Sequence, residues 1–164
     1  MIITVMSDSH DNIWNLRKAL EIIKGENAEL IIHCGDFVAP FMFKELETAK
    51  VPVHGVFGNN DGDQYLLTQL SLTELKNITL HGPIGQFDLN EFIIKFTHYQ
   101  EIADGLAALG DCKLVCYGHS HTYMKKQIND TILLNPGEIM GMEGSPGFCF
   151  VDTRNWEVER VELK

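Results

Sequence analysis

Five short apolar runs in this chain each end in residues that bind metals or move protons. Ile2 to Met6 is followed by Ser7-Asp8-Ser9-His10-Asp11-Asn12, and Leu30 to Cys34 by Gly35-Asp36. Val53 to Phe57 leads to Gly58-Asn59-Asn60-Asp61, Phe92 to Phe96 to Thr97-His98, and Leu114 to Tyr117 to Gly118-His119-Ser120-His121. A buried strand commonly exits into Gly, Asn or Asp turn chemistry, so one such motif alone carries little weight. Together, Asp8, His10, Asp36, Asn59, His98, His119 and His121 offer seven oxygen and nitrogen donors, more than the four of a tetrahedral zinc. Two cations about 3.5–4 Å apart, sharing one carboxylate, would use them all. In an extended segment residues i and i+2 point to the same side, so Asp8 and His10 are expected to reach one point beyond the first strand. His33, His54 and His81 lie within or at the ends of strands, outside these motifs, and are read as structural.

The elements that must hold these residues follow from periodicity. After the first strand, Asn12 is a candidate N-cap, and Ile13, Leu16, Leu20 and Ile23 recur at helical spacing until Gly25. A second helix opens near Pro40 and runs through Phe41 and Leu46 towards Ala49; a third covers Gly62 to Leu72. This β-α-β-α-β alternation predicts a mostly parallel, right-handed sheet with its ligand-type residues at the strand C-termini, the edge where open α/β sheets bind ligands. Ile78 to His81 and Gln86 to Leu89 begin a change towards short strands, with Asn90-Glu91 as a turn into Phe92. Glu101 to Leu109 reads as a helix stopped by Gly110. Hairpins close the chain: Met124 to Ile128 with Thr131 to Leu134, and Gly147 to Asp152 with Trp156 to Leu163. The expected architecture is a single α/β domain over residues 1–164, with two mixed sheets packed face to face and helices outside.

Composition removes several classes. The chain of 164 residues is long enough for a proper core, and 45% hydrophobic with 22% charged residues is ordinary for a globular protein. No apolar run reaches the roughly 20 residues of a membrane span, and no signal-peptide pattern opens the sequence, so the cytoplasm is the expected compartment. Cys34, Cys112, Cys116 and Cys149 sit mostly in apolar runs without a Cys-x-x-Cys pair and read as core thiols. A net charge of −10 argues against a general grip on duplex DNA or RNA, although bound cations would reverse the local sign at the site.

The ordered set Asp8-x-His10, Gly35-Asp36, Gly58-Asn59-x-Asp61, His98 and Gly118-His119-x-His121 resembles the five motif blocks of the calcineurin-like metallophosphoesterases along nearly the whole chain. The resemblance implies a four-layer α/β/β/α sandwich. It implies that Asp8, His10 and His121 hold one metal, that Asn59, His98 and His119 hold the other, and that Asp36 bridges them. It further implies a phosphodiesterase in which a hydroxide shared by two divalent cations attacks small phosphodiesters in line. The donor set suits Mn²⁺ or Ni²⁺, with Fe, Co or Zn as alternatives. Asp11 and Asp61 are expected to orient imidazoles from behind. Expected partners are a small soluble phosphodiester and, as an open alternative to a lone chain, further copies of itself, with neither duplex nucleic acid nor a membrane.

One departure matters for mechanism. Larger relatives carry a histidine directly after the metal-binding Asn, placed to help the leaving oxygen; here Asn60 holds that position and cannot act as a general acid. This resembles the short branch that includes small phosphodiesterases and the metallophosphoesterase-like subunit of retromer. Asn135-Pro136-Gly137 resembles the same branch, with Glu138 where a Ser is expected, and is read as a structural turn near the site. The competing readings are a non-catalytic binding module on the same fold and a phosphomonoesterase. The intact set of seven donors argues against the first, and Asn60 against the second.

Overall fold

The computed structural model describes residues 1–164. Eleven strands and four helices alternate in the order β1 (Ile2–Met6), α1 (Ile13–Gly25), β2 (Leu30–His33), α2 (Phe41–Glu47), β3 (Val53–Gly55), α3 (Gln64–Thr73), β4 (Ile78–Leu80), β5 (Ile84–Leu89), β6 (Phe92–Thr97), α4 (Gln100–Leu109), β7 (Leu114–Cys116), β8 (Met124–Ile128), β9 (Thr131–Asn135), β10 (Gly147–Asp152) and β11 (Glu157–Glu162). They form a six-stranded sheet, β11-β10-β1-β2-β3-β4, and a five-stranded sheet, β5-β6-β7-β9-β8. β1 to β4 are parallel, while β10 and β11 join antiparallel. In the second sheet β6, β7 and β9 are parallel and flanked by antiparallel β5 and β8.

Three apolar clusters fill the spaces between four layers. Leu16, Ala19, Leu20 and Ile23 of α1 pack on Met6, Ile31 and Phe148 of the first sheet, together with residues of α2 and α3. Ile3, Val5, Leu30 and Ile32 of that sheet face Ile94, Phe96, Leu114 and Leu134 of the second. Ala103 and Ala107 of α4 cover Val115 and Leu133 on its far side. Alternation sets this division: in β2 Leu30 and Ile32 point between the sheets while Ile31 points to the helices, so both faces of the strand are buried. Each fully buried aliphatic side chain contributes about 1.5–3 kcal/mol, which is what holds the polar strand ends rigidly in place.

Element ends differ from expectation where side chains cap or loops turn away. The third helix starts at Gln64, not Gly62, because Asp63 Oδ1 caps it by accepting the Leu66 N–H at 2.9 Å. The second helix stops at Glu47, short of Ala49. β3 ends at Gly55 because the Phe57 N–H turns to the Gly82 carbonyl at 2.9 Å and the chain leaves the ladder. β5 begins two residues early, at Ile84, and Trp156 belongs to the turn before β11, with φ 61°. The Asn12 cap and the left-handed Gly110 terminus fall where expected.

Candidate metal centre

The loops leaving β1, β2, β3, β6 and β7 meet at one end of the two sheets. Asp8, His10, Asp36, Asp11, His119 and His121 all adopt left-handed backbone, with φ between 38° and 67°. Asp and His tolerate this region better than most residues, and its concentration here marks loops bent to aim side chains. Asp8 and His10 therefore converge through tight turns and not through the alternation of an extended strand. Gly58 and Gly118 permit the close approach: a Cβ at Gly58 would overlap Asp36 Oδ1, and one at Gly118 would overlap Ser7 Oγ.

Asp8 and Asp36 are buried, with their carboxylates turned towards imidazoles. Asp36 Oδ2 lies 3.3 Å from His10 Nε2 and 3.4 Å from His98 Nε2. Asp8 Oδ1 lies 3.4 Å from His121 Nε2 and 3.8 Å from His10 Nε2. His98 Nε2 is 3.0 Å from Asn59 Oδ1. The His119 backbone N–H donates to Asp8 Oδ2 at 3.1 Å, and its ring centroid is 5.1 Å from that of His98. Donor atoms of Asp8, His10 and His121 lie within 4.8 Å of one another, as do those of Asp8, Asp36 and His98. All seven residues singled out from the sequence are thus brought to one place, and Asp8 reaches both halves.

Two observations fit this pocket to cations. Asp8 Oδ1 and His10 Nε2 are buried without a hydrogen-bond partner, a costly arrangement unless something charged completes it. Without a cation, Asp36 and then Asp8 push the His10 pKa up to about 10. Burial opposes ionisation of Asp36, but the His10 and His98 imidazoles 3.3 and 3.4 Å away and the two Asn60 N–H groups hold it well below the usual carboxylate range.

The surrounding hydrogen bonds correct two expectations. Asp61 orients no imidazole: Oδ2 accepts from Gly58 N at 2.7 Å and Asp36 N at 3.0 Å, and Oδ1 from Val38 N at 2.8 Å. Asp11 Oδ1 accepts from Ala39 N at 2.9 Å. Asp11 follows His10 directly and Asp61 lies two residues after Asn59, and both side chains fold onto the neighbouring Asp36–Ala39 loop and pin it. Asn60 faces Asp36, its side-chain amide donating to Oδ2 and its backbone N–H to Oδ1, both at 2.8 Å.

The imidazoles are oriented by groups the sequence reading did not assign. His98 Nδ1 donates to the Cys34 carbonyl at 2.8 Å, and because a carbonyl only accepts, Nε2 of the neutral ring carries the lone pair that faces Asn59 Oδ1 and Asp36 Oδ2. His121 Nδ1 is 2.8 Å from Oε2 of the buried Glu138. A backbone carbonyl leaves no sequence signal, whereas an acidic residue in an otherwise apolar exit segment did leave one. Asn135 braces the His119–His121 loop by donating to Gly118 O at 2.9 Å, consistent with a turn near the site. His33, buried against Ser9 and Phe37, and His54, bonded to His81 at 2.8 Å, stand outside the cluster.

Comparison with known proteins places this arrangement. Residues 1–156 match the calcineurin-like phosphoesterase superfamily domain. The chain belongs to that superfamily and is a metal-dependent phosphoesterase. Phosphodiesterase MJ0936 of Methanocaldococcus jannaschii is 36% identical over the full length of both chains. A probable metallophosphoesterase, YsnB of Bacillus subtilis, is 35% identical over 85% of this chain and 75% of its own. Among solved structures, a novel archaeal phosphodiesterase superposes with a TM-score of 0.90 at 33% identity, covering 99% of this chain and 100% of that one. Vps29 from Chaetomium thermophilum shares the fold at 15% identity, with a TM-score of 0.72 over 99% of this chain and 97% of its own.

Proposed function

We propose that this protein is a phosphodiesterase that binds two divalent cations and hydrolyses small soluble phosphodiesters. Asp8, His10 and His121 would hold one cation, Asn59, His98 and His119 the other, and Asp36 would be shared. The observation that carries this reading is the Asp36 carboxylate between imidazoles from both sheets, 3.3 Å from His10 and 3.4 Å from His98. Bound cations would supply Lewis-acid polarisation of the phosphoryl group and acidify a water. The mixed donors favour Mn²⁺ or Ni²⁺, with Fe, Co and Zn as alternatives.

The chain's own residues set the conditions for that chemistry. Asp61 and Asp11 fix the backbone from which Asp36 projects, so its carboxylate is aimed before any ligand arrives. The Cys34 carbonyl and Glu138 hold His98 and His121 with Nε2 inward. Asn60 offers only neutral N–H donors, which favours substrates whose leaving group departs without a proton. Supporting diesters further, a diester carries one negative charge where a monoester carries two, leaving phosphorus more open to attack. The unpaired Asp8 Oδ1 and His10 Nε2 support a cation-loaded centre over a module that has lost its metals. The net charge of −10 supports small esters over duplex nucleic acid. No helix is long and apolar enough to cross a membrane.

Purified protein, stripped with a chelator and titrated with Mn²⁺ and Ni²⁺, is expected to take up two ions per chain. Hydrolysis of aryl and nucleotide diesters should appear only when metal is present. Undiminished turnover after stripping, or saturation at one ion, contradicts the proposal.

A further inference from the structure

Glu138 is fully buried, yet no Lys or Arg pairs with it. Its two oxygens are divided between separate structures. Oε2 lies 2.8 Å from His121 Nδ1, while Oε1 takes the backbone N–H groups of Glu143 and Gly144, each at 2.7 Å. Two backbone N–H groups on Oε1 favour the ionised carboxylate, whose Oε2 can only accept, and this puts the shared proton on His121 Nδ1. The Glu143–Gly144 segment, with His121, Tyr123 and Arg160, walls a groove of about 350 Å³ beside the metal centre.

We propose that Glu138 is a positioning residue that fixes His121 with Nδ1 protonated and Nε2 presented to a cation, and couples this to the loop walling the adjacent groove. The inference rests on the reading of His121 as a metal ligand. His121 Nε2 then faces Asp8 Oδ1, 3.4 Å away, as one donor of a pair. A carboxylate behind a ligating imidazole fixes its tautomer and raises its basicity, and removing such a partner typically lowers metal affinity 10–100-fold. Glutamine has nearly the same shape but fails in either orientation. With its oxygen towards Glu143 and Gly144, its NH₂ meets His121 and drives the proton to Nε2; with its oxygen towards His121, its NH₂ meets two N–H groups.

The test compares full-length wild type and Glu138→Gln by Mn²⁺ titration and by two-bond ¹H–¹⁵N correlation of the histidine rings. The expected result is roughly 10–100-fold weaker binding of one ion in the variant, the other staying within about twofold of wild type. Equal affinities for both ions, with an unchanged far-UV spectrum, would overturn the proposal. If the variant does not fold, wild type decides alone. Loaded with Zn²⁺, its His121 should be protonated at Nδ1 and ligated through Nε2; ligation through Nδ1 overturns the inference. A wild type that binds no cation removes the metal reading instead, and the metal-free spectrum still decides the tautomer. There, a neutral His121 protonated at Nε2 alone refutes Glu138's role.

Discussion

Asp61 holds Asp36 by the backbone: its Oδ2 accepts the Asp36 N–H at 3.0 Å while the Asp36 side chain turns the other way, into the metal centre. Because Asp61 receives three N–H groups, Asp61→Asn must set an NH₂ against a backbone donor. Roughly 10–100-fold loss of kcat/KM and of metal affinity is expected, although no ligand is removed. A stability loss of about 1–3 kcal/mol should accompany it, read by urea unfolding. Wild-type kinetics would show that the Asp36 loop needs no such support.

Cation binding should release protons. Asp36 and Asp8 push the His10 pKa up to about 10, so at pH 7.5 the metal-free ring is charged and must lose a proton before Nε2 can ligate. Affinity should therefore rise with pH, by up to about tenfold per unit from this group, until the ring is neutral in the free protein. By the same linkage, the stability that His10 lends the metal-free fold is full below its unfolded pKa and is lost as pH climbs through about 10. Calorimetric titrations in buffers of different ionisation enthalpy count the protons; none released would contradict the His10 assignment.

His33 should make the metal-free fold acid-sensitive. Burial lowers its pKa to about 3, so the unfolded chain takes up a proton near pH 6.5 that the folded chain refuses. Stability from this residue falls as pH drops from 6.5 towards 3, with a slope approaching about 1.4 kcal/mol per unit. Urea unfolding of chelator-treated wild type and His33→Leu across that window should show the shallower slope in the variant. Parallel curves would mean that His33 titrates normally.

Asn60→His should move substrate preference from diesters towards alkyl monoesters by placing a group that titrates near neutrality beside the leaving oxygen. The variant gives up the Asn60 amide bond to Asp36, so some loss of overall rate is expected with the shift. The readout is the ratio of kcat/KM for matched aryl and alkyl mono- and diesters at fixed metal loading. An unchanged ratio would remove Asn60 from leaving-group control.

Asp8, His10, Asp36, Asn59, His98, His119 and His121 were legible only as a set: each alone could serve a turn, but donors recurring at five strand exits have no common structural use. The layered fold was legible for a related reason: runs such as Leu30–His33 carry apolar residues on both faces and must be covered twice. What stayed hidden was direction. Nothing in the sequence separates an Asp that braces an imidazole from one that braces its neighbour's backbone, and Asp11 and Asp61 do the latter. The left-handed turns at Asp8 and His10 were also invisible, since they are imposed by contacts with residues far along the chain, such as the Asp8 N–H to the Gly35 carbonyl at 3.1 Å.

β1 lies between β2 and β10, whose residues 147–152 are some 145 positions away along the chain. The loop it carries is held from the same region, by Ile139 N on Ser7 O and Met140 N on Asp8 O, both at 3.0 Å. A chain cut after His121 therefore contains every donor of the metal centre, together with β1 to β7, but lacks β10 and the residue 139–140 bonds that hold the Asp8 loop. A fragment ending at residue 121 should therefore bind Mn²⁺ more weakly than the full chain, because the segment that seats Asp8 is then held from one side only.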